Sequence, residues 1–232
     1  FDPSGNDIPS TEANFTQLEL DRIAIIWHRM AEDFAAFDID VTTEEPDVFT
    51  STTGRVLFTH HSDASGQALP SSSAGGVAFL DVFGGSRYVT KYSPALVYYS
   101  NLSGVATYNA EAGSHEFGHN IGLSHDGVID GTGYYTGSGS GEVDWAPIMG
   151  SSYSGIVTPW SKGEYANANN TEDDLAIIAG DLGYAGDDHG DSLANATPLL
   201  VEANGDILVS SPELDPDNVL PENKGIIDDS SD

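Results

Sequence analysis

The sequence predicts an α+β fold, and three observations support that prediction. A long run near the start has apolar residues at intervals of three and four, which is the spacing of an amphipathic helix. Four later runs have the composition and alternation of strands, and two further segments have the pattern of helices. With 232 residues, the chain is long enough for one domain with a substantial core and an appendage.

The first predicted element is a long helix over residues 16–34. Thr16 and Glu19 stand in the spacing of a capping box, in which each satisfies a backbone donor of the other. The apolar positions that recur at three and four are Leu20, Ile23, Ala24, Trp27, Ala31 and Phe34. We therefore expect this helix to pack one face on the core.

Four strands are predicted next, over residues 37–43, 55–59, 76–83 and 94–101, with loops rich in glycine, serine and proline between them. A second helix is expected over about 108–123.

A third, short helix is expected over 171–179, with Thr171 and Asp174 as its capping box and Gly180 as its stop. From Gly186 the composition shifts to Asp, Asn, Pro and Ser, so we divide the chain into a domain over 1–185 and an acidic linker or tail over 186–232. Residues 187–191 and 194–199 resemble the linker and first strand of a β-sandwich module, so we expect the tail to be the start of such a module, cut short.

The composition excludes several classes of partner. There are 37 acidic residues against 7 basic ones, a formal charge of −30, which disfavours binding to nucleic acid or to an anionic membrane. Cysteine is absent, and no apolar run approaches the roughly 20 residues needed to span a bilayer. We expect a soluble monomer without disulfides.

The strongest local pattern is His115-Glu116-x-x-His119, followed by Gly122 and His125. On a helix, His115 and His119 share one face, so both imidazoles can hold one zinc ion. Gly122 suits the positive-φ turn that can return His125 to the same ion as a third ligand. Glu116 can then take a proton from water bound at the open position. The alternative is a solvated helix with incidental histidines.

This run, together with Ile148-Met149-Gly150, matches H-E-x-x-H-x-x-G-x-x-H followed by a Met-turn. Residues from about 14 to 184 therefore resemble a metzincin zinc endopeptidase. Asp126, directly after the third histidine, makes the chain similar to the reprolysin (adamalysin) branch. Residues 159–165 resemble the secreted bacterial members, and the lack of cysteine also favours that side.

The resemblance implies a mixed twisted sheet packed on the long helix and the active-site helix, with a small lower subdomain that holds the Met-turn and a C-terminal helix. It implies a secreted enzyme that hydrolyses peptide bonds of extended polypeptide by attack of a zinc-bound water, with Glu116 as general base. In the family, the residue at Met149 is an apolar support beneath the zinc histidines. Asp126 would form hydrogen bonds that steady the turn carrying His125.

The family binds substrate along an edge strand above the zinc, which implies Gly76, Val77 and Ala78 as substrate-binding residues. An internal strand is the alternative. Tyr153 is expected in the wall of the pocket beside the zinc. A role in stabilising the oxyanion fits less well, because some members carry that tyrosine two residues after the methionine and here it falls four residues after it.

Two further expectations concern the ends of the chain. The family has a strand ahead of its first helix, and no such run precedes Thr16. The sheet is therefore one strand short, or a processed N-terminal segment supplies the strand as a separate piece. Asp187, Asp188 and Asp191 are candidate calcium ligands, with a solvated linker as the alternative.

Two rival functions stay open. One is a binding or adhesive module stabilised by a structural zinc, against which stand Glu116 and a ligand set one short of closed. The other is a zinc hydrolase of a non-peptide amide. A long open cleft would favour polypeptide, and a closed pocket would favour a small substrate.

Overall fold

The computed structural model describes residues 15–129 and 131–186, together with Ala194 and Gly205. In this part of the chain, three α-helices and a small three-stranded mixed sheet form the α+β arrangement that the sequence predicts. Residues 1–14, the candidate calcium ligands Asp187, Asp188 and Asp191, and nearly all of the acidic tail lie outside the described residues.

Helix α1 (Gln17–Asp33) begins as predicted. The Thr16 N–H donates to Glu19 Oε2 at 2.6 Å, and the Glu19 N–H donates to Thr16 Oγ1 at 3.3 Å, which completes the capping box. Ile26 and Met30 are buried on the face that packs against α2 (Ala106–Ile121). The helix therefore covers one side of the core.

The sheet contains β1 (Val56–Thr59), β2 (Gly76–Val77) and β3 (Ala95–Tyr98), in the order β1-β3-β2. Strand β1 runs parallel to β3, and β2 runs antiparallel to it. The central strand carries buried side chains at three of its four positions, as a strand covered on both faces does. Strand β2 lies at an edge of this sheet. Of the two alternatives for its segment, an edge strand and an internal strand, the described residues therefore form the edge strand.

The prediction of a strand over residues 37–43 is wrong. Phe37 forms only an isolated antiparallel bridge with Tyr184. The N–H of Phe37 donates to the Phe34 carbonyl at 3.0 Å, and that of Ile39 donates to the Phe37 carbonyl at 2.8 Å. These short-range hydrogen bonds turn the chain at the end of α1, so it does not extend along the sheet.

The strand predicted over 76–83 ends at Val77. Beyond it, the N–H of Asp81 donates to the His119 carbonyl, and those of Val82 and Phe83 donate to the Asn120 carbonyl, each at 2.9 Å. The last carbonyls of a helix lack partners within the helix. The segment therefore caps α2 and does not continue the sheet.

Helix α3 (Asp174–Leu182) differs from its prediction at both ends. Its N-cap is Asp173, whose carboxylate accepts from the Ala176 N–H at 3.2 Å, so the predicted Thr171 and Asp174 box is not formed. The helix continues through Gly180 and ends at Gly183, which has a φ of 77°.

The main core joins the end of α1, the second half of α2, the segment around residue 148, and α3. The Trp160 Nε1–H donates to the Asp33 carbonyl at 2.6 Å and connects the segment around residue 160 to α1. The buried residues of this cluster are Phe34, Phe37, Phe117, Ile121, Leu123, Ile148, Met149 and Ile178. None of the described helices has the length and apolar character needed to cross a membrane.

Asp33 carries a carboxyl group that is largely removed from water where α1 meets α2. Ser114 Oγ donates to its Oδ2 at 2.5 Å. Burial raises the pKa of Asp33 from 3.8 to about 8, although the Ser114 hydrogen bond acts in the opposite direction. The folded protein therefore keeps a proton that the unfolded chain releases at lower pH.

Asp33 should make the protein less stable as pH rises from about 4 to about 8. In that window the unfolded carboxyl ionises while the native one stays protonated, so the native state binds more protons and the free energy of unfolding falls. Asp33→Asn should remove this contribution and be more stable than wild type at pH 9 by at least about 1 kcal/mol. Urea unfolding at pH 5, 7 and 9 measures the free energy of unfolding of each variant.

Asp40→Asn is the matched control, because Asp40 is exposed. Burial also raises the pKa of Asp174 to about 8. Asp174 therefore makes the free energy of unfolding fall with pH in every variant, so the effect of Asp33 is the difference between the variants. Parallel pH profiles for Asp33→Asn and wild type would contradict the assignment.

Candidate metal centre

Helix α2 and the turn that follows it bring the three motif histidines together. His115 and His119 lie one turn apart on α2, and the helix ends at Gly122 with a φ of 115°. The Gly122 N–H bonds back to the Gly118 and His119 carbonyls at 3.1 and 3.0 Å. This left-handed exit, which glycine adopts without a steric penalty, reverses the chain toward His125.

One ring nitrogen from each of His115, His119 and His125 lies within 4.8 Å of the others. The Nε2 atoms of His119 and His125 are 2.9 Å apart. Among the described residues, no other group of three His, Cys, Asp or Glu side chains converges in this way. The three imidazoles are close enough to bind one metal ion.

Backbone carbonyls orient two of these rings. His115 Nδ1 lies 2.8 Å from the Ile148 oxygen, and His119 Nδ1 lies 2.7 Å from the Leu123 oxygen. A carbonyl oxygen can only accept, so we assign the proton to Nδ1 in both rings, which leaves the Nε2 lone pair for a metal. Metal-binding histidines are commonly held in this way, and the donor set therefore fits a metal.

Burial also keeps the rings neutral. It lowers the pKa of His115 to about 3, with the neighbouring His119 adding to the effect, and it lowers the pKa of His125 to about 4. The pKa of His119 is lowered by burial as well. Neutral imidazole is the form that coordinates a cation.

Met149 is fully buried against the helix that carries the histidines. A Cβ atom placed on Gly118 would stand 2.8 Å from Met149 Sδ, so the helix approaches this closely because residue 118 has no side chain. The Met149 carbonyl accepts from the Asp126 N–H at 2.9 Å. Met149 thus packs directly against the helix that carries His115 and His119.

Asp126 steadies the turn through its backbone. Besides donating to Met149, it accepts from the Tyr135 N–H at 2.6 Å through its own carbonyl. Its carboxyl is buried, and Oδ2 has no hydrogen-bond partner in the described part of the chain. Burial, then the charges of Glu172 and Glu164, raise the pKa of Asp126 to about 6.

Glu116 lies between α2 and the edge strand and is buried. A Cβ atom placed on Gly76 would stand 2.7 Å from Glu116 Oε1, so the strand approaches the carboxyl closely at a glycine. Burial raises the pKa of Glu116 to about 8. A carboxyl group with a pKa near neutrality can both accept and return a proton.

His115 and Glu116 line a half-open cleft of about 460 Å³, whereas His119 and His125 are not among its lining residues. Gly76 lines this cleft, whereas Val77 and Ala78 are not among its lining residues. The lining residues are Ala74, Gly75, Gly76, Glu111, His115, Glu116, Thr132, Tyr134, Thr136, Ile148, Gly150, Ser151, Ser152 and Tyr153.

Tyr153 forms part of the cleft wall. Its hydroxyl oxygen lies 2.9 Å from the place that a Cβ on Gly75 would occupy, and its ring centroid is 5.4 Å from that of Tyr108. Burial, followed by the negative charge of Glu116, raises the pKa of Tyr153 to about 12. The phenol therefore stays protonated and can donate a hydrogen bond.

Two cleft residues were missed in the sequence. The ring of Tyr134 lies 4.3 Å from that of His125 and 6.1 Å from that of His115, centroid to centroid. It belongs to an irregular loop, and no local pattern predicts where that loop passes. Glu111 did have a signal, because it precedes His115 by four residues and so shares its helix face.

No family model, curated protein or solved structure matches this chain.

His119→Ala should weaken metal binding by more than about tenfold, because it removes one of three converging nitrogens. Titration with zinc alone, followed by metal analysis after desalting, measures the affinity and the content. The control is His60→Ala, because His60 is not one of the three converging histidines. Its Nδ1 lies 2.8 Å from Ser62 Oγ. Equal zinc content in both variants would contradict the site.

Met149→Ala should destabilise the fold by about 2–5 kcal/mol, because it opens a cavity beneath α2. Met149→Leu conserves most of the volume and should cost less than about 1.5 kcal/mol. Denaturant unfolding measures both, and zinc titration should show weaker binding in the alanine variant than in the leucine variant. Indistinguishable alanine and leucine variants would argue against a supporting role.

Proposed function

We propose that this protein is a secreted zinc endopeptidase of the metzincin type that hydrolyses peptide bonds of extended polypeptides. The observation that supports this most is the convergence of three neutral imidazoles, one of which, His115, lines the same half-open cleft as the buried carboxyl group of Glu116. Secretion and membership of the reprolysin-like branch rest on the motif resemblance alone.

The ligand chemistry favours zinc. Its catalytic sites use three protein ligands, commonly nitrogens, and keep one position open. His115, His119 and His125 would hold the ion through the nitrogens that are free of backbone hydrogen bonds. When bound, zinc lowers the pKa of water and polarises a substrate carbonyl.

Glu116 would move the proton. It follows the first ligand, faces the cleft and is shielded from water. As general base, it takes the proton of the attacking water, and as general acid it returns a proton to the leaving amine nitrogen. A module with a purely structural metal needs no such carboxyl group, so Glu116 weighs against the binding-module alternative.

Strand β2 would hold the substrate chain. It lies at an edge of the described sheet and reaches the cleft at Gly76. An extended peptide can add backbone hydrogen bonds to an edge strand largely independently of its sequence. A half-open cleft beside such an edge favours polypeptide over a small amide, which would suit an enclosed pocket better.

Glu116→Gln should keep its zinc and lose cleavage by about a hundredfold or more, because proton transfer is lost while the ligands remain. His119→Ala should lose both. Zinc content and digestion of a denatured protein mixture, with and without a chelator, measure the two properties. The exposed Glu142→Gln is the matched control. Undiminished, chelator-sensitive cleavage by zinc-loaded Glu116→Gln would overturn the mechanism.

A further inference from the structure

A charged residue lies at the floor of the cleft and takes no part in the proposed chemistry. Glu111 is one helical turn before His115, so both side chains project from the same face of α2. It is only 3 % exposed and yet lines the cleft. Glu111 therefore borders the space that a ligand would fill, while it is shielded from bulk water.

Three donors hold this carboxylate in place. Arg29 Nη2 donates to Oε1 at 2.9 Å, and Thr158 Oγ1 donates to the same oxygen at 3.2 Å. Ser152 Oγ donates to Oε2 at 2.7 Å. Arg29 does not belong to the cleft lining, so its guanidinium lies behind the carboxylate.

The carboxylate has acceptor capacity left. An ionised carboxyl group offers about four lone-pair directions, and three are used. An aliphatic side chain placed against it would displace water without replacing a hydrogen bond. An acidic side chain would be repelled, whereas a cationic one would form a charge-assisted hydrogen bond. The formal charge of −30 attracts cations further.

With a volume of about 460 Å³, the cleft has room for a long side chain. Gly75 and Gly76 face it without side chains, and a Cβ on Gly75 would stand 2.9 Å from the Tyr153 hydroxyl and 3.1 Å from Leu102 Cδ2. A larger residue at this position would therefore crowd the cleft wall. Tyr153 therefore packs closely against the Gly75 backbone in the cleft wall.

We infer that the cleft selects a lysine or arginine side chain next to the cleaved bond, with Glu111 as the residue that recognises its positive charge. That the recognised side chain stands next to a cleaved bond rests on the proposed peptidase function. The selection of a basic side chain by the cleft rests on the placement of Glu111 alone.

The test uses peptides that differ only in the residue beside the cleaved bond: lysine, arginine, leucine or glutamate. For the zinc-loaded full chain, kcat/KM should favour the basic residues at least about tenfold over leucine, with glutamate poorest, because a charge-assisted hydrogen bond is gained. Glu111→Gln should bring lysine and leucine near parity. Glu142→Gln, which also removes one acidic charge but from an exposed site, should keep the preference.

A double variant guards against misfolding. Glu111→Gln leaves the Arg29 guanidinium without its counter-charge, whereas Arg29→Met combined with Glu111→Leu removes both charges of the pair. Replacing a buried ion pair by apolar residues is commonly tolerated. This double variant should prefer leucine over lysine. Retained preference for basic residues in both variants would overturn the role of Glu111.

Binding to zinc-loaded Glu116→Gln, measured by calorimetry with the same peptides, separates selection from catalysis. Tighter binding of the basic peptides supports the inference even if the wild-type chain cleaves none of them, a result that would overturn the peptidase proposal alone. Zinc-dependent cleavage with equal or better use of leucine would overturn the inference and leave the peptidase proposal standing. Absence of both cleavage and selective binding would overturn both.

Discussion

The contact between α2 and the segment Ile148-Met149 is the constraint on which the arrangement of the three histidines depends. Gly118 lets the helix rest on Met149 Sδ, the Ile148 carbonyl orients the His115 ring, and the Met149 carbonyl holds the backbone of Asp126 beside His125. One short segment therefore supports ligands that come from two directions. Close packing makes such an arrangement sensitive to a single methyl group.

The carboxyl groups of this strongly acidic chain lie in different environments. Most of its carboxylates are compatible with a solvated surface, but a few lie in or near the core around α2. Burial keeps Asp33 protonated, whereas Glu111 is paired with Arg29 and faces the cleft. The environment, more than the residue type, therefore decides whether a carboxyl group is neutral, paired or available to a ligand.

Strand β2 and the end of helix α2, which carries His115 and His119, are one connected unit. Strand β2 stops after two residues because the backbone donors at 81–83 cap the last carbonyls of α2. This arrangement brings Gly76 against Glu116 and so joins the edge of the sheet to the cleft. A longer strand would have used those donors in the sheet and left the helix end unsatisfied.

Sequence alone determined the features that depend on neighbours within a turn of helix. These include the capping box at Thr16, the shared face of His115 and His119, and the left-handed exit at Gly122, because i to i+4 spacing and caps are local. Tertiary structure decided the rest. Contacts from distant parts of the chain draw residues 81–83 to the end of α2 and place Tyr134 beside His125, since hydrogen-bond donors and rings pair with whatever packing brings near.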